Sequence, residues 1–474
     1  MRSGVYYGVQ NSTVGDFRGQ LDAARPVSAH LWTATPVIDR PVQSVTHDVG
    51  VVHADVHTSA GDLEAKYAFQ LNRRQEFEQV RASIIGPQYD FTLRTHSLDV
   101  LFKHRTIPLA FGTLKGGVGV QGSFQENVYG GLSLIPGFRR FGAGVFGYER
   151  LSIRKAVKLE VGGRVDGLAQ GAFLPVPDFQ GHVSRGTLGE RDCEEKTSTM
   201  RCSTAYPAGS LSFGVLAHVV PERLDIKVDL SSSSRFPNID ELYLLGSSPS
   251  FPVFAVGDPS LGVETAWGVT VTAVARAKLV ELEVSSFSQV VDDFIYFAPE
   301  IGANGTPRVD VTIRGAFPAY TYQAIDAIFY GFDGTASIWP SGPFGLDLQG
   351  SVVRAQDRGT GDHLVGIPAD QVQVSLVARP PAGGPFRDTE LRLVADVVGK
   401  QDRVDPASDL APAPEGYFLL GASFETTVGA KRPVRVGVVG HNLTNTSYRE
   451  YTSLLRYYAD QPGWDVRVRV GVDF

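Results

Sequence analysis

The chain has 474 residues, of which 43% are hydrophobic, 20% are charged and 52 are glycine, and its formal net charge is −7. This composition excludes a disordered chain, and the net negative charge argues against nucleic acid as a partner, because phosphate sites need clustered Lys and Arg. Apolar runs are far shorter than the roughly 18 residues of a membrane-spanning helix, whereas a β-barrel can span a membrane with alternating strands of unremarkable hydropathy.

Apolar and polar side chains alternate along most of the chain, and helical periodicity is nearly absent. In the last segment Val466, Val468 and Val470 share one face, while Arg467 and Arg469 share the other. A period of two predicts strands with one apolar and one polar face. In chain order, about 18 strands are predicted around residues 3–10, 42–58, 62–78, 90–105, 108–128, 138–152, 155–171, 204–219, 221–235, 263–278, 279–297, 317–330, 331–355, 366–379, 386–402, 416–429, 431–446 and 464–474.

The connections alternate between very short turns and long stretches rich in Pro, Gly and Asp. This asymmetry is typical of an outer-membrane barrel, which has tight periplasmic turns and long external loops. Aromatic residues flank several strands, and single charges on the polar faces suit a water-filled lumen. The sequence therefore predicts one all-β unit over residues 1–474, a transmembrane antiparallel β-barrel. A soluble β-rich surface protein remains as an alternative.

A glycine pattern, GxGxxG, occurs at residues 117–122 and 142–147. A dinucleotide site needs this turn between a strand and a helix. Both copies lie inside alternating strand patterns, so they indicate strand curvature or lumen space instead. No catalytic motif was found, and we expect neither an enzyme nor a cofactor.

The two cysteines, Cys193 and Cys202, lie nine residues apart in a polar stretch. This spacing is wider than that of a CxxC metal or redox pair, and we expect a disulfide in an external loop, which indicates an oxidising compartment. Acidic residues beside the first cysteine, with a histidine nearby, could attract a cation, although a solvated loop is the simpler interpretation. The weak metal candidates are His182, Asp192, Glu194 and Glu195.

Residues 231–267 predict a strand end, a loop with a short helix and a returning strand. This stretch resembles the TonB-dependent outer-membrane receptors, whose barrels carry R-x-P-x-x-x-E-L-Y and then G-[DN]-P-x-L-x-x-E. The matching residues are Arg235, Pro237, Glu241, Leu242, Tyr243, Gly257, Asp258, Pro259, Leu261 and Glu264.

The end of the chain carries a second match, to the family pattern N-L-x-[ND]-x-x-Y-R. Asn442, Tyr448 and Arg449 fit this pattern. The last strand ends in Phe474, and a terminal aromatic strand resembles the signal that the outer-membrane assembly machinery reads. The resemblance covers essentially the whole chain.

The resemblance implies an outer-membrane receptor or transporter that takes up a scarce, large solute such as a metal chelate (a siderophore, haem or metal ion). It also implies contact with outer-membrane lipid and energy coupling through an inner-membrane TonB-type protein. Specificity would lie in the loops and the plug, so the sequence does not name the solute.

Family members begin with a coupling box and a plug and continue as a 22-stranded barrel. This sequence opens within a strand-like pattern, without a visible signal peptide. We therefore expect the plug, the region that contacts the coupling protein and about four of the 22 strands to be missing. An unplugged, passive pore is the alternative function.

Overall fold

The computed structural model describes residues 13–22, 40, 42–77, 85–248, 251–312, 315–404, 406–429 and 433–472. Within these residues the chain forms three α-helices, two 3-10 helices and 22 strands. The helices are α1 (Val14–Asp22), α2 (Val176–Arg185) and α3 (Ile239–Tyr243), and the 3-10 helices are η1 (Pro406–Ser408) and η2 (Leu454–Tyr457). In the described part of the chain, no helix has the length and apolar character that a membrane crossing requires.

The first ten strands precede α3. These strands are β1 (Val42–His57), β2 (Gly61–Phe77), β3 (Tyr89–His104), β4 (Ile107–Leu109), β5 (Gly112–Gly131), β6 (Gly137–Ile153), β7 (Val157–Pro175), β8 (Glu194–Lys196), β9 (Thr199–Val220) and β10 (Leu224–Arg235). The strands that follow are β11 (Leu245–Ser248), β12 (Phe251–Val256), β13 (Glu264–Arg276), β14 (Val280–Pro299), β15 (Val309–Thr312), β16 (Gly315–Ser341), β17 (Phe344–Asp357), β18 (Gln371–Ala378), β19 (Phe386–Val398), β20 (Tyr417–Val428), β21 (Val434–His441) and β22 (Asp465–Val472).

Five short strands (β4, β8, β11, β12 and β15) lie in the connections, and the other 17 described strands form an antiparallel meander. Each long strand pairs with the next long strand along the chain, from β1–β2 to β21–β22. Strands in such a meander alternate in direction. Because 17 is odd, β1 and β22 run in the same direction.

Of the 18 predicted strands, the last 17 each coincide with one of the long strands. The first predicted strand, at residues 3–10, lies outside the described residues. One predicted boundary is wrong, because β16 continues unbroken through Gly331. A Cβ at this glycine would lie 2.1 Å from the carbonyl oxygen of Val352, so the residue serves close strand packing. The actual turn follows at Gly342, whose φ is +73°.

The connections define two rims of the sheet. At the turn rim the strands are joined by tight turns, such as those at residues 58–60, 154–156 and 221–223. At the opposite rim, which we call the loop rim, the connections are long. They include residues 176–198, 236–263, 300–314, 358–370, 399–416 and 442–464.

The two faces of the sheet differ in chemistry. Residues directly opposite each other on neighbouring strands share a face, and the register pairs apolar with apolar, as in Val145 with Val165 and Val438 with Val468. Val145, Val165 and Val468 are 55% to 69% exposed, and Val438 is half-buried. We call this the outer face and the opposite one, which carries the charged side chains, the inner face. An apolar exposed face and a polar inner face define a membrane barrel.

The loop rim is closed by a hydrophobic core that we call the loop cap. Phe17 of α1 and Tyr457 of η2 are fully buried in it, together with Val253 of β12 and Tyr320 of β16. The Gln20 amide of α1 donates a hydrogen bond to the carbonyl oxygen of Tyr458 at 3.3 Å. The cap therefore joins segments that are hundreds of residues apart in the sequence.

Candidate functional site

Arg235 lies at the end of β10, where the chain enters the loop 236–263. Its Nη1 atom donates to both carboxylate oxygens of Glu241 at 2.8 Å, and its Nη2 atom donates to Glu264 at 3.0 Å. The same oxygen of Glu264 accepts a hydrogen bond from the backbone N–H of Ile295 at 2.9 Å. One guanidinium therefore ties β10, α3, β13 and β14 together through charge-assisted hydrogen bonds.

The short helix α3 is fixed at its start and along its buried side. The backbone N–H of Asn238 donates to the carboxylate of Glu241 at 2.7 Å, as in a capping box. Leu242 and Tyr243 are buried, at 0% and 4% exposure. A Cβ at Gly257 would lie 2.6 Å from the carbonyl carbon of Leu242, so the returning chain passes too closely for a larger residue.

The G-D-P segment continues this contact. The Asp258 N–H donates to the carbonyl oxygen of Glu241 at 2.8 Å, and the Asp258 carboxylate accepts bonds from the N–H and hydroxyl of Ser260 at 2.9 and 2.6 Å. Pro237 is buried and Pro259 is half-buried. The residues of the first motif thus come together as one tightly bonded loop base.

We expect Glu241→Ala to loosen this loop base by about 1–3 kcal/mol, since the variant removes an acceptor of Arg235 and the cap of α3 together. Amide hydrogen exchange over residues 236–263 would show the loss. The control is Glu281→Ala, because Glu281 is 61% exposed in its pair with Arg276. Equal protection in the two variants would contradict a stabilising role for the motif.

Asn442 opens the final loop and is completely buried, with φ at +47°. Its side-chain amide donates to the carbonyl oxygen of Thr446 and accepts from the N–H of the same residue, both at 2.9 Å. Asn tolerates this left-handed conformation better than most residues. Tyr448 packs against Tyr417 of β20, with 4.4 Å between the ring centroids. The second motif therefore shapes the start of the loop between β21 and β22.

Arg449 extends this network to a buried ion pair. Its Nε donates to Asp460 at 2.8 Å, and its Nη1 donates to the carbonyl oxygen of Arg456 at 3.0 Å. Arg456 in turn donates to both carboxylate oxygens of Asp409, at 2.8 and 3.1 Å. The side chains of Arg456 and Asp409 are each 3% exposed.

Three tyrosines surround this pair. Tyr457 donates to Asp409 at 2.7 Å and lies 2.6 Å from the hydroxyl of Tyr320, and Tyr451 donates to Asp409 at 3.2 Å. The guanidinium of Arg456 lies 4.5 Å from the ring centroids of both Tyr451 and Tyr457. Burial raises the pKa of Tyr457 well above its ordinary value, so its hydroxyl remains a donor. Sequence reasoning missed this cluster, because its members carry no local motif.

The structure does not assemble the candidate metal site. His182 of α2 is completely buried, and its ring nitrogens lie 2.9 Å from the Thr187 hydroxyl and 3.4 Å from the Tyr243 carbonyl. Burial also lowers the pKa of His182, which keeps the ring neutral. Asp192 instead accepts a hydrogen bond from the N–H of Gly189 at 2.6 Å. The described residues contain no group of three or more His, Cys, Asp or Glu that could hold a metal, and this applies to the candidates His182, Asp192, Glu194 and Glu195.

Cys193 and Cys202 form a disulfide at the loop rim, with their Cα atoms 4.4 Å apart. Both are nearly buried and pack in a core with Ala172, Leu174 and Phe179. The bond fastens the end of the loop 176–198 to the start of β9. Phe474, the expected assembly signal, lies outside the described residues.

In protein recovered from the cell envelope, we expect thiol labelling and mass spectrometry to find neither cysteine free. Replacing both by serine should weaken the loop by about 2–3 kcal/mol, because a short closed loop loses its constraint in the unfolded state. The long strands should keep their exchange protection in this variant. Two free thiols in the exported protein would contradict the expectation.

The inner face carries many cross-strand ion pairs and amides. Examples are Arg150 of β6 with Glu160 of β7, and Arg392 of β19 with Asp347 of β17, whose atoms are 2.9 Å apart. Such a surface suits a water-filled or polypeptide-filled interior rather than a dry core.

The chain matches the family model described as "TonB dependent receptor-like, beta-barrel" over residues 4–467. It therefore belongs to this family, whose members among the solved neighbours are receptors and transporters rather than enzymes. The match confirms the predicted fold class and the resemblance drawn from the two motifs. Sequence comparison with curated proteins gave no match.

Solved structures with a similar fold have low sequence identity to this chain. The copper transporter OprC is 15% identical with a TM-score of 0.63, and the match covers 90% of this chain and 66% of OprC. The FrpB iron transporter from Neisseria meningitidis (F3-3 variant) is 13% identical with a TM-score of 0.62, at 90% and 63% coverage. A double mutant of the Serratia marcescens hemophore receptor HasR, in complex with its hemophore HasA and heme, is 15% identical with a TM-score of 0.61, at 91% and 65% coverage. The chain thus spans less than two thirds of the length of these proteins.

Proposed function

We propose that this chain is the barrel part of an outer-membrane receptor that imports a scarce, large solute such as a metal chelate. The observation that carries the proposal is the pairing of an apolar exposed face with a charged inner face, in a sheet whose loop rim carries the family motifs. The three neighbours are a copper transporter, an iron transporter and a hemophore receptor in complex with its hemophore and heme. This supports a metal or a metal chelate as the class of solute.

The partners follow from the same reasoning. The outer face would contact outer-membrane lipid, and the outer-membrane assembly machinery would insert the chain. Import of a scarce solute against its gradient needs an energy source, and a TonB-type protein of the inner membrane is the one that the family implies.

The test is deletion of the gene in its native host, followed by growth under iron or copper limitation. We expect reduced uptake of one radiolabelled metal chelate, restored by the intact gene and abolished by collapse of the proton-motive force. Uptake that survives this collapse would indicate the passive pore instead. Unchanged growth and uptake for every metal and chelate tested would contradict the proposal.

A further inference from the structure

A cavity of about 310 Å³ opens on the inner face of β17–β21, close to the loop rim. The register places Gln349, Gln373, Asp396 and Leu419 in one row across four neighbouring strands. Since residues in one row share a face, these side chains line the same wall. Tyr417 lies one step closer to the loop rim and also lines the cavity.

The final loop supplies the other side of the cavity through Tyr448 and Glu450. Tyr448 is 9% exposed, and its ring packs against Tyr417. Within the described residues no hydrogen bond reaches its hydroxyl, although the side chain lines the cavity. Burial raises the pKa of Tyr448, and the charges of Glu450 and Asp396 raise it further.

The cavity is negatively charged and rich in acceptors. Asp396 and Glu450 contribute two carboxylates, and among the described residues no Lys or Arg lines the cavity. Asp396 accepts one hydrogen bond from Gln373 at 2.7 Å, and Glu450 accepts one from Gln461 at 3.4 Å. A carboxylate can accept about four, so acceptor capacity remains. The tyrosine rings add faces that attract cations.

We propose that this cavity binds an organic cation with N–H donors, a protonated primary amine or a guanidinium. Asp396 and Glu450 accept its hydrogen bonds, and Tyr417 and Tyr448 flank it. The volume suits one such group on a short aliphatic stem rather than a whole chelate. The bound cation would belong either to the imported solute or to a polypeptide inside the lumen. The inference rests on the proposed function, which gives such a ligand access to the lumen.

The test is calorimetric titration of the full chain, in lipid nanodiscs at low salt, with agmatine, which carries an ammonium and a guanidinium. We expect saturable binding of agmatine and none of the neutral 1,5-pentanediol. A second arm uses the peptide acetyl-Gly-Arg-Gly-amide. Binding of agmatine supports a free solute as the source of the cation, and binding of the peptide alone supports a side chain of a polypeptide.

The variant Asp396→Asn/Glu450→Gln should weaken binding at least tenfold, and Tyr448→Phe about tenfold through loss of one hydrogen bond to a charged group. The matched control is Glu425→Gln, because Glu425 is an exposed inner-face carboxylate of β20 outside the cavity. Absence of binding in both arms, or unchanged binding in the double variant and in Tyr448→Phe, would overturn the proposal. Since binding needs no transport, a failure of chelate uptake is a separate result.

Discussion

Asp409→Ala is expected to destabilise the loop cap by about 3–5 kcal/mol, because it leaves the buried charge of Arg456 uncompensated. In the native protein this carboxylate is the anion that contacts Arg456, and both side chains are 3% exposed. Two other nitrogens of Arg456, Nε and Nη1, are buried without a hydrogen-bond partner in the described residues. Tyr451 and Tyr457 would lose an acceptor as well.

Amide hydrogen exchange over α1 and residues 442–464 would measure this loss. The control is Asp465→Ala, since Asp465 pairs with Arg467, which is 69% exposed. An exposed pair of this kind contributes about 0–1 kcal/mol. The double variant Asp409→Leu/Arg456→Met should recover most of the protection, because it removes both charges together. If Asp409→Ala were as mild as the control, the ion pair would not hold the cap.

The long strands could be predicted from the sequence because alternation is a local property. Val466, Val468 and Val470 alternate with Arg467 and Arg469, and the structure places the two sets on opposite faces of β22. The predicted strand boundary is wrong where the alternation continues through a glycine. Gly331 lies inside β16, and nothing local distinguishes a glycine required by a neighbouring strand from one in a turn.

The loop cap could not be predicted, since its contacts join distant parts of the chain. Asp409 and Arg456 are 47 residues apart, and Tyr320 and Tyr457 are 137 apart. The helix α2 did carry local signals, with a proline near its start and Gly186 at its end at a φ of +74°. They lie in a stretch that the sequence predicts only as a long connection.

The family motifs could be found in the sequence, but their physical role could not. The two patterns contain Glu241 and Glu264, and the patterns alone do not say that both bind Arg235. The structure shows that the loop folds back so that Glu241 and Glu264 flank one guanidinium. The surroundings of the candidate metal ligand His182 could not be predicted either, because its ring nitrogens contact the Thr187 hydroxyl and the carbonyl oxygen of Tyr243, which is 61 residues away.

Val468→Arg is expected to destabilise the protein in lipid by about 2–4 kcal/mol, because it places a charge on the lipid-facing side of a membrane strand near its middle. Val468 is 67% exposed on the outer face of β22 and lies opposite Val438 of β21. In the membrane, lipid acyl chains would cover this apolar side chain. The cost should be largest in bilayers and smaller in short-chain detergent, where a charged side chain reaches water more easily.

The matched control is Arg469→Val on the next residue, which faces inward opposite Gly437. It should cost much less, because the inner face is polar and wet and the apolar side chain enters neither lipid nor a packed core. Folding yields in lipid vesicles, read from heat-dependent gel migration, and unfolding in urea would compare the two variants. Equal yields would mean that the inner and outer faces of β22 are assigned the wrong way round or that the strand does not lie against lipid. A large loss for Val468→Arg alone would place the outer face in the membrane by an experiment that does not depend on transport.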